Sequence, residues 1–145
     1  MSKNSLERAI VFATEAHAGQ IDKCGEPYIL HPIRVMLSMS SLKERIVAIL
    51  HDVLEDTDVT EDELKEDFTL DVVAAVVAIS KNDNENYLEF IARCCKNKIA
   101  INVKRADISD NASPIRLYKL DLEKRKILRQ KYTRAINYID GVEQF

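Results

Sequence analysis

Glycine and proline are scarce in this chain, three of each in 145 residues. So few breakers, set against long stretches with a 3.6-residue apolar period, argue for an all-α protein. Cysteine is also scarce. Cys24, Cys94 and Cys95 are odd in number and lack C-x-x-C spacing, which speaks against a disulfide framework and against a thiolate metal site. The adjacent pair is expected to give one packed and one surface thiol. Excess positive charge is missing too: 21 Lys and Arg stand against 24 Asp and Glu, for a net charge of −3 and a pI of about 5.7. A nucleic-acid binder shows a basic stripe or a high pI, so no nucleic-acid partner is expected. A small charged substrate can still be held by a few local Lys and Arg. No apolar run approaches the roughly 18–20 residues that span a bilayer, and the opening MSKNSLERAI lacks the apolar core of a signal peptide. The expectation is a cytoplasmic protein with no membrane partner. With 46% hydrophobic and 31% charged residues and no repeat or linker, residues 1–145 read as one globular domain.

The helices can be placed from their caps and apolar spacing. Residues 5–18 carry Leu6, Ala9, Ile10, Ala13 and Ala16 on one face behind Asn4 or Ser5 as N-cap. His17 then lies near the C-terminal end, where it reads as a capping or packing residue. Residues 19–30 hold two glycines and the first proline and form a loop. Pro32 suits the first position of a second helix, which places His31 at its N-cap and runs to about Met39. Ser41-x-x-Glu44 is a capping-box pattern opening a third helix that continues to about Leu54. Thr60-x-x-Glu63 opens a short fourth helix, and residues 70–80 a compact apolar one. The next runs from Tyr87 to about Lys96, with Leu88, Ile91, Ala92 and Cys95 inward. Lys98–Asn111 follows, Pro114 marks a break, and Asp121–Val142 forms a long charged helix with a solvated Lys-rich face, free to pack against a second copy.

Three segments set polar groups against apolar helix faces: His31, the cluster from His51 to Asp56, and Asp107 with Asn111 in KRADISDN. The run Ile46–Leu50 delivers a histidine and three carboxylates within six positions, which packing alone does not require, since carboxylates are rarely buried without partners. Two His and two Asp form a mixed nitrogen and oxygen set suited to a borderline divalent ion such as Mn, Fe, Zn, Co or Ni. Such an ion lowers the pKa of a water it holds toward about 7, and Glu55 is the natural carboxylate to take the proton. Each piece also has a plainer reading. His31 can be a structural cap, His51-Asp52 a helix-terminal pair, residues 55–58 a solvated acidic turn, and Asp107 the partner of Arg105 or Lys104.

The pattern AHAGQ…GEPYILHP…ILHDVLEDTDVT…KRADISDN, over about residues 5–115, resembles the HD hydrolase domain of the RelA/SpoT family. Those enzymes remove the 3′-pyrophosphate of (p)ppGpp, the alarmone of the stringent response. The length resembles the small alarmone hydrolases that lack a synthetase domain. The resemblance implies a compact all-α, multi-helix HD-domain fold and one divalent ion, Mn²⁺ first among the candidates, on His31, His51, Asp52 and Asp107. It implies that Glu55 and Asp56 act around the attacking water and that Asn111 and Lys23 meet the nucleotide. Lys81 and Lys104 are further candidates for phosphate.

Two departures concern the purine side. Asp22 stands where the family usually has Arg, and Ile108 where Arg directly follows the metal Asp; Asp110 also replaces a usual His. Asp neither stacks on a purine nor forks around phosphate. The leading expectation is hydrolysis of a nucleotide pyrophosphate, ppGpp to GDP and pyrophosphate. The alternatives are another phosphorylated nucleotide (an adenine alarmone or NADPH), a metal-holding nucleotide sensor without turnover, or a helical module with a relict site.

Overall fold

The C-terminal half of one helix is buried on every side. The computed structural model describes residues 3–143. In it Ile46, Val47, Ala48, Ile49 and Leu50 are five consecutive residues with no exposed surface, so this half is apolar all round and belongs at the centre, while the first half, from Leu42 to Arg45, reaches solvent. Each fully buried aliphatic side chain of this kind contributes about 1.5–3 kcal/mol.

The described residues form ten helical segments: α1 (Leu6–Ala16), α2 (Leu30–Ser38), α3 (Leu42–Leu50), α4 (Val53–Asp56), α5 (Glu61–Asp67), α6 (Leu70–Ala78), α7 (Tyr87–Cys94), α8 (Lys98–Asn111), α9 (Pro114–Leu117) and α10 (Leu122–Glu143). The all-α expectation holds; extended pairing among these residues is limited to a single bridge, Ile21 to Pro27. No helix among them is long and apolar enough to cross a membrane.

Helix α3 packs against α1, α2, α6 and α8, and their side chains form the main core around Ala9, Ala13, Val35, Leu64, Phe68 and Val72. A second cluster joins Phe90, Ile91 and Cys94 of α7 to Ile101 and Ile108 of α8 and Ala135 and Ile139 of α10. Helix α8 is the wall between the two. Ala100 and Val103 face the first cluster, Ile101 and Ile108 the second.

The caps act as their residue types predict. Ser5 accepts from the Arg8 amide, and both halves of the Thr60–Glu63 box are made. At Ser41 the hydroxyl accepts from the Glu44 amide and donates to the Glu44 carboxylate at 2.8 Å, in place of a reciprocal backbone bond. Other expectations need correction. His31 is the second residue of α2, because Ile29 already has helical angles (φ −56°, ψ −24°) and the chain turns in through the His31 amide to Tyr28 oxygen bond at 3.0 Å. Pro32 is tolerated at the third position because first-turn amides lack helical partners in any case. In α7 the inward face is Phe90, Ile91 and Cys94, while Leu88 is exposed. The pattern is turned by one residue because Phe90 offers the larger apolar surface to α10.

Helix α3 also does not run through to Leu54. His51 Nδ1 donates to Ala48 oxygen at 2.6 Å. That carbonyl is the one the Asp52 amide would take in an unbroken helix. The imidazole displaces the ladder bond, Asp52 opens to φ −105°, ψ 0°, and α4 starts afresh at Val53.

Candidate metal centre and adjoining cavity

The helix break between α3 and α4 aims His51 and Asp52 at one point. Helix α2 brings His31 there and α8 brings Asp107. His51 Nε2 lies 3.0 Å from Asp52 Oδ2 and 3.3 Å from Asp107 Oδ1. His31 Nε2 lies 2.8 Å from Asp107 Oδ1 and 3.9 Å from Asp52 Oδ2. Both imidazoles and Asp107 are buried, and Asp52 is nearly so. The structure thus brings together all four residues expected as ligands.

Tautomers decide what this cluster can hold. Ala48 oxygen can only accept, so His51 Nδ1 carries a proton, and the Asp110 carboxylate 2.6 Å from His31 Nδ1 calls for a proton there too. The edge left to meet a cation is Nε2 on both rings, with His31 Nε2 2.8 Å from Asp107 Oδ1. A cation that displaces any Nε2 proton would then face two nitrogen lone pairs and two carboxylate oxygens. Neighbouring ligands on an octahedral ion with bonds of about 2.1 Å lie about 3 Å apart, which matches the spacing. The donor set fits a divalent cation. The same field sets the protonation of the cluster. Burial works to lower the His51 pKa, but Asp52 and Asp107 outweigh it and hold it well above the usual imidazole range. Burial raises and Lys104 and the histidines lower the Asp107 carboxyl, which ends well below its usual range.

Glu55 and Asp56 sit one turn on. Asp52, Glu55 and Asp56 offer oxygens all within 4.8 Å of one another. Glu55 accepts the Lys81 backbone amide at 2.7 Å, so Lys81 serves the site through its main chain while its ammonium reaches Asn82 oxygen at 3.2 Å. Burial, followed by the Asp52 charge, raises the pKa of Asp56; burial is also the leading cause of the rise at Glu55. Gln20 donates to Asp56 oxygen at 2.8 Å and meets His17 Nδ1 at 2.7 Å, which places His17 as a buried packing residue behind the site. Lys104 is half-buried, with its ammonium 2.7 Å from Asp107 Oδ2 and above the Phe90 ring. One of the plainer readings of Asp107 is therefore also realised. Asn111 donates to Asp107 Oδ1 at 3.1 Å.

Beside the cluster opens a cavity of about 510 Å³, lined on the polar side by Lys23, Tyr28, Asp56, Asn111 and Arg116 and on the apolar side by Leu117, Leu120, Leu128 and Tyr132. Its size suits a nucleotide-sized ligand. Asp22 lies in the cavity wall, but its carboxylate turns inward: Oδ1 accepts the Cys24 and Glu26 amides at 2.8 and 3.0 Å, and Oδ2 faces Arg116 at 3.4 Å. It ties the 20–28 loop, which turns at Gly25 with φ +83°. Ile108, the other departure, packs in the second core cluster.

Sequence reasoning missed two residues. Tyr28 donates to Asp52 Oδ2, with Asp56 Oδ2 at 3.4 Å. An aromatic with a polar tip three residues before a buried histidine was the available signal. Arg116 donates to Asp110 at 2.9 Å and Asn111 at 2.8 Å. Its link to Asp22 spans 94 positions, and no local pattern announces it.

An all-α bundle whose break between two helices presents a His-Asp pair, completed by a His and an Asp from two other helices beside a nucleotide-sized cavity, has the architecture of a His-Asp domain with a candidate metal centre. The HD domain family profile matches residues 9–110, and the chain belongs to that family. Over 133 residues it is 37% identical to the guanosine-3′,5′-bis(diphosphate) 3′-pyrophosphohydrolase of Aquifex aeolicus, covering 83% of this chain and 19% of that protein. Over 140 residues it is 31% identical to the bifunctional (p)ppGpp synthase/hydrolase SpoT of Escherichia coli, covering 86% of this chain and 20% of that protein. The chain thus spans about a fifth of these relatives. A metazoan ortholog of SpoT, described as hydrolysing ppGpp, superposes with a TM-score of 0.80 at 23% identity over 94% of this chain and 85% of that one, which shows a shared fold.

Proposed function

We propose that residues 1–145 form a single metal-dependent phosphohydrolase domain acting on guanosine-3′,5′-bis(diphosphate), releasing the 3′-pyrophosphate to leave GDP. The observation that carries this reading is that His31 Nε2 and His51 Nε2 each lie 2.8–3.9 Å from both Asp52 Oδ2 and Asp107 Oδ1, beside a cavity lined by Asp56 and Asn111. The names of the curated relatives support the substrate. Mn²⁺ is the ion proposed, and the cytoplasm, where such nucleotides are made, the compartment.

When bound, the ion supplies Lewis acidity and a water of lowered pKa. The chain's own residues do the rest. His31, His51, Asp52 and Asp107 bind the ion. Asp56 Oδ2 and Glu55, both with raised carboxyl pKa from burial, receive the proton of the attacking water. Tyr28 holds Asp52 and Asp56 in register. Lys23 and the Asn111 amide meet the polar half of the nucleotide, and Leu117, Leu120, Leu128 and Tyr132 exclude water from its ring. Lys81 contributes its main-chain amide to Glu55, and Lys104 contributes positive field from behind Asp107.

The test is incubation of the Mn²⁺-loaded protein with ppGpp and separation of products. GDP and pyrophosphate are expected, and intact ppGpp with the ion bound would sink the proposal. A second reading, hydrolysis of an adenine alarmone or NADPH by the same machinery, is favoured by one observation. Asp22 is tied into its loop and Ile108 into the core, so the family's usual guanidinium groups are absent from the base side. The same assay run with those nucleotides separates the two. Binding without turnover of any of them would favour the sensor.

A further inference from the structure

Asp110 stands outside the four ligands and outside the proposed proton-handling pair, yet it has three charged or polar partners. Its Oδ2 lies 2.6 Å from His31 Nδ1 and 2.9 Å from Arg116 Nη1, and its Oδ1 accepts from Arg34 Nε at 2.8 Å. Arg116 Nη1 also approaches His31 Nδ1 at 3.2 Å. The guanidinium can only donate, and a bare Nδ1 at 2.6 Å from a carboxylate oxygen would set lone pair against lone pair. A proton therefore belongs on His31 Nδ1, shared with Asp110, which leaves Nε2, 2.8 Å from Asp107 Oδ1, as the edge that gives up any proton of its own to meet a cation.

We propose that Asp110 is a positioning residue for the metal centre: it fixes the tautomer and ring angle of His31, so that Nε2 meets the ion with Asp107 and His51. Arg34 and Arg116 hold the carboxylate in place from α2 and from the cavity wall. A carboxylate behind a ligating imidazole raises its basicity, and losing such a partner typically costs 10–100-fold in metal affinity. The histidine that the RelA/SpoT resemblance leads one to expect at this position could not serve two guanidinium groups as a charged acceptor. Asp110 and its two arginines thus form one substituted unit in this chain. Arg116 extends the unit to the loop through Asp22 at 3.4 Å, so the cavity wall and the ligand His31 are tied by a single side chain.

This inference rests on the metal reading above, and the experiment separates the two. Mn²⁺ affinity of the full chain is measured by electron paramagnetic resonance of the free ion for the parent, Asp110→Asn, Asp110→Ala and Arg34→Ala, with circular dichroism confirming that each is folded. The isosteric Asn keeps the packing if Ala does not fold. We expect both Asp110 variants to bind Mn²⁺ 10–100-fold more weakly, and Arg34→Ala, which leaves the Oδ2 bond to His31 in place, to change affinity less than about threefold. Saturating Mn²⁺ is expected to restore most of the turnover of Asp110→Asn. Parent-like affinity in the Asp110 variants overturns the proposal. So does an equal loss in Arg34→Ala, which would mean that the carboxylate merely clamps α2 to α8. A parent that binds no Mn²⁺ overturns the metal reading itself.

Discussion

At the scale of single residues, the centre depends on which hydrogen each side chain holds. Tyr28 is the clearest case. Its ring packs 5.0 Å from His17 and 6.0 Å from His31, and its hydroxyl reaches Asp52, with Asp56 beyond. Burial and then the neighbouring carboxylates push the phenol well above its ordinary range, so it remains a donor at any working pH. A hydrogen bond to a charged group is worth about 1.5–3 kcal/mol, and each 1.4 kcal/mol is about tenfold in rate. Tyr28→Phe keeps the ring contacts and removes only the donor. We expect kcat to fall about tenfold or more while the thermal midpoint shifts little. Turnover equal to the parent would show that Tyr28 only packs. The meeting of His31, His51, Asp52 and Asp107 was legible only through the spacing of all four motifs together, since each residue alone also has a plainer use. Asp110 was visible as a departure but not as a partner, because its role depends on Arg34 and Arg116, 76 and 6 residues away. Lys104 had two readings, a phosphate contact and the partner of Asp107, and the fold realises the second.

At the scale of elements, α3 carries the site by being immobile. Its five buried residues are held from α1, α2, α6 and α8, so the helix break that follows has a fixed base. Ile49→Ala removes a fully buried side chain, and deletions of this size cost about 2–5 kcal/mol. Leu42, on the same helix but 56% exposed, is the internal control: Leu42→Ala should stay within about 0.5 kcal/mol. Urea unfolding of both checks the contrast, and a similar small loss in each would contradict a central α3. Helix starts were readable wherever a side chain makes the cap, as at Ser5 and Thr60, and Lys98–Asn111 matched its expected bounds. The interruption at His51 was not, because a side chain competes there for a backbone carbonyl and no local propensity records it. The face of α7 was off by one residue for a related reason. Two adjacent stripes have the same period, and the choice between them rests on α10, which lies more than 25 residues further on.

At the scale of the whole molecule, the two core clusters meet at α8, and the cation site is where three helices from the larger one converge. Without an ion, Asp52 and Asp107 are met by the Nε2 edges of His31 and His51, an arrangement only the folded chain assembles, so binding an ion there and folding are coupled. A ligand that binds only the folded chain stabilises it by about 2.7 kcal/mol at a hundred times its dissociation constant. For a domain of this size that corresponds to a rise in thermal midpoint on the order of 10 °C. We therefore expect chelator-treated protein to melt well below protein with excess Mn²⁺, with the midpoint rising with the logarithm of free ion. His51→Gln, which removes one lone pair from the centre, should flatten that dependence whatever its own midpoint is. A parent whose midpoint ignores Mn²⁺ across that range would mean that the cluster is satisfied by protons on its histidines. The hydrolytic reading would then lose its physical basis, even with the fold unchanged.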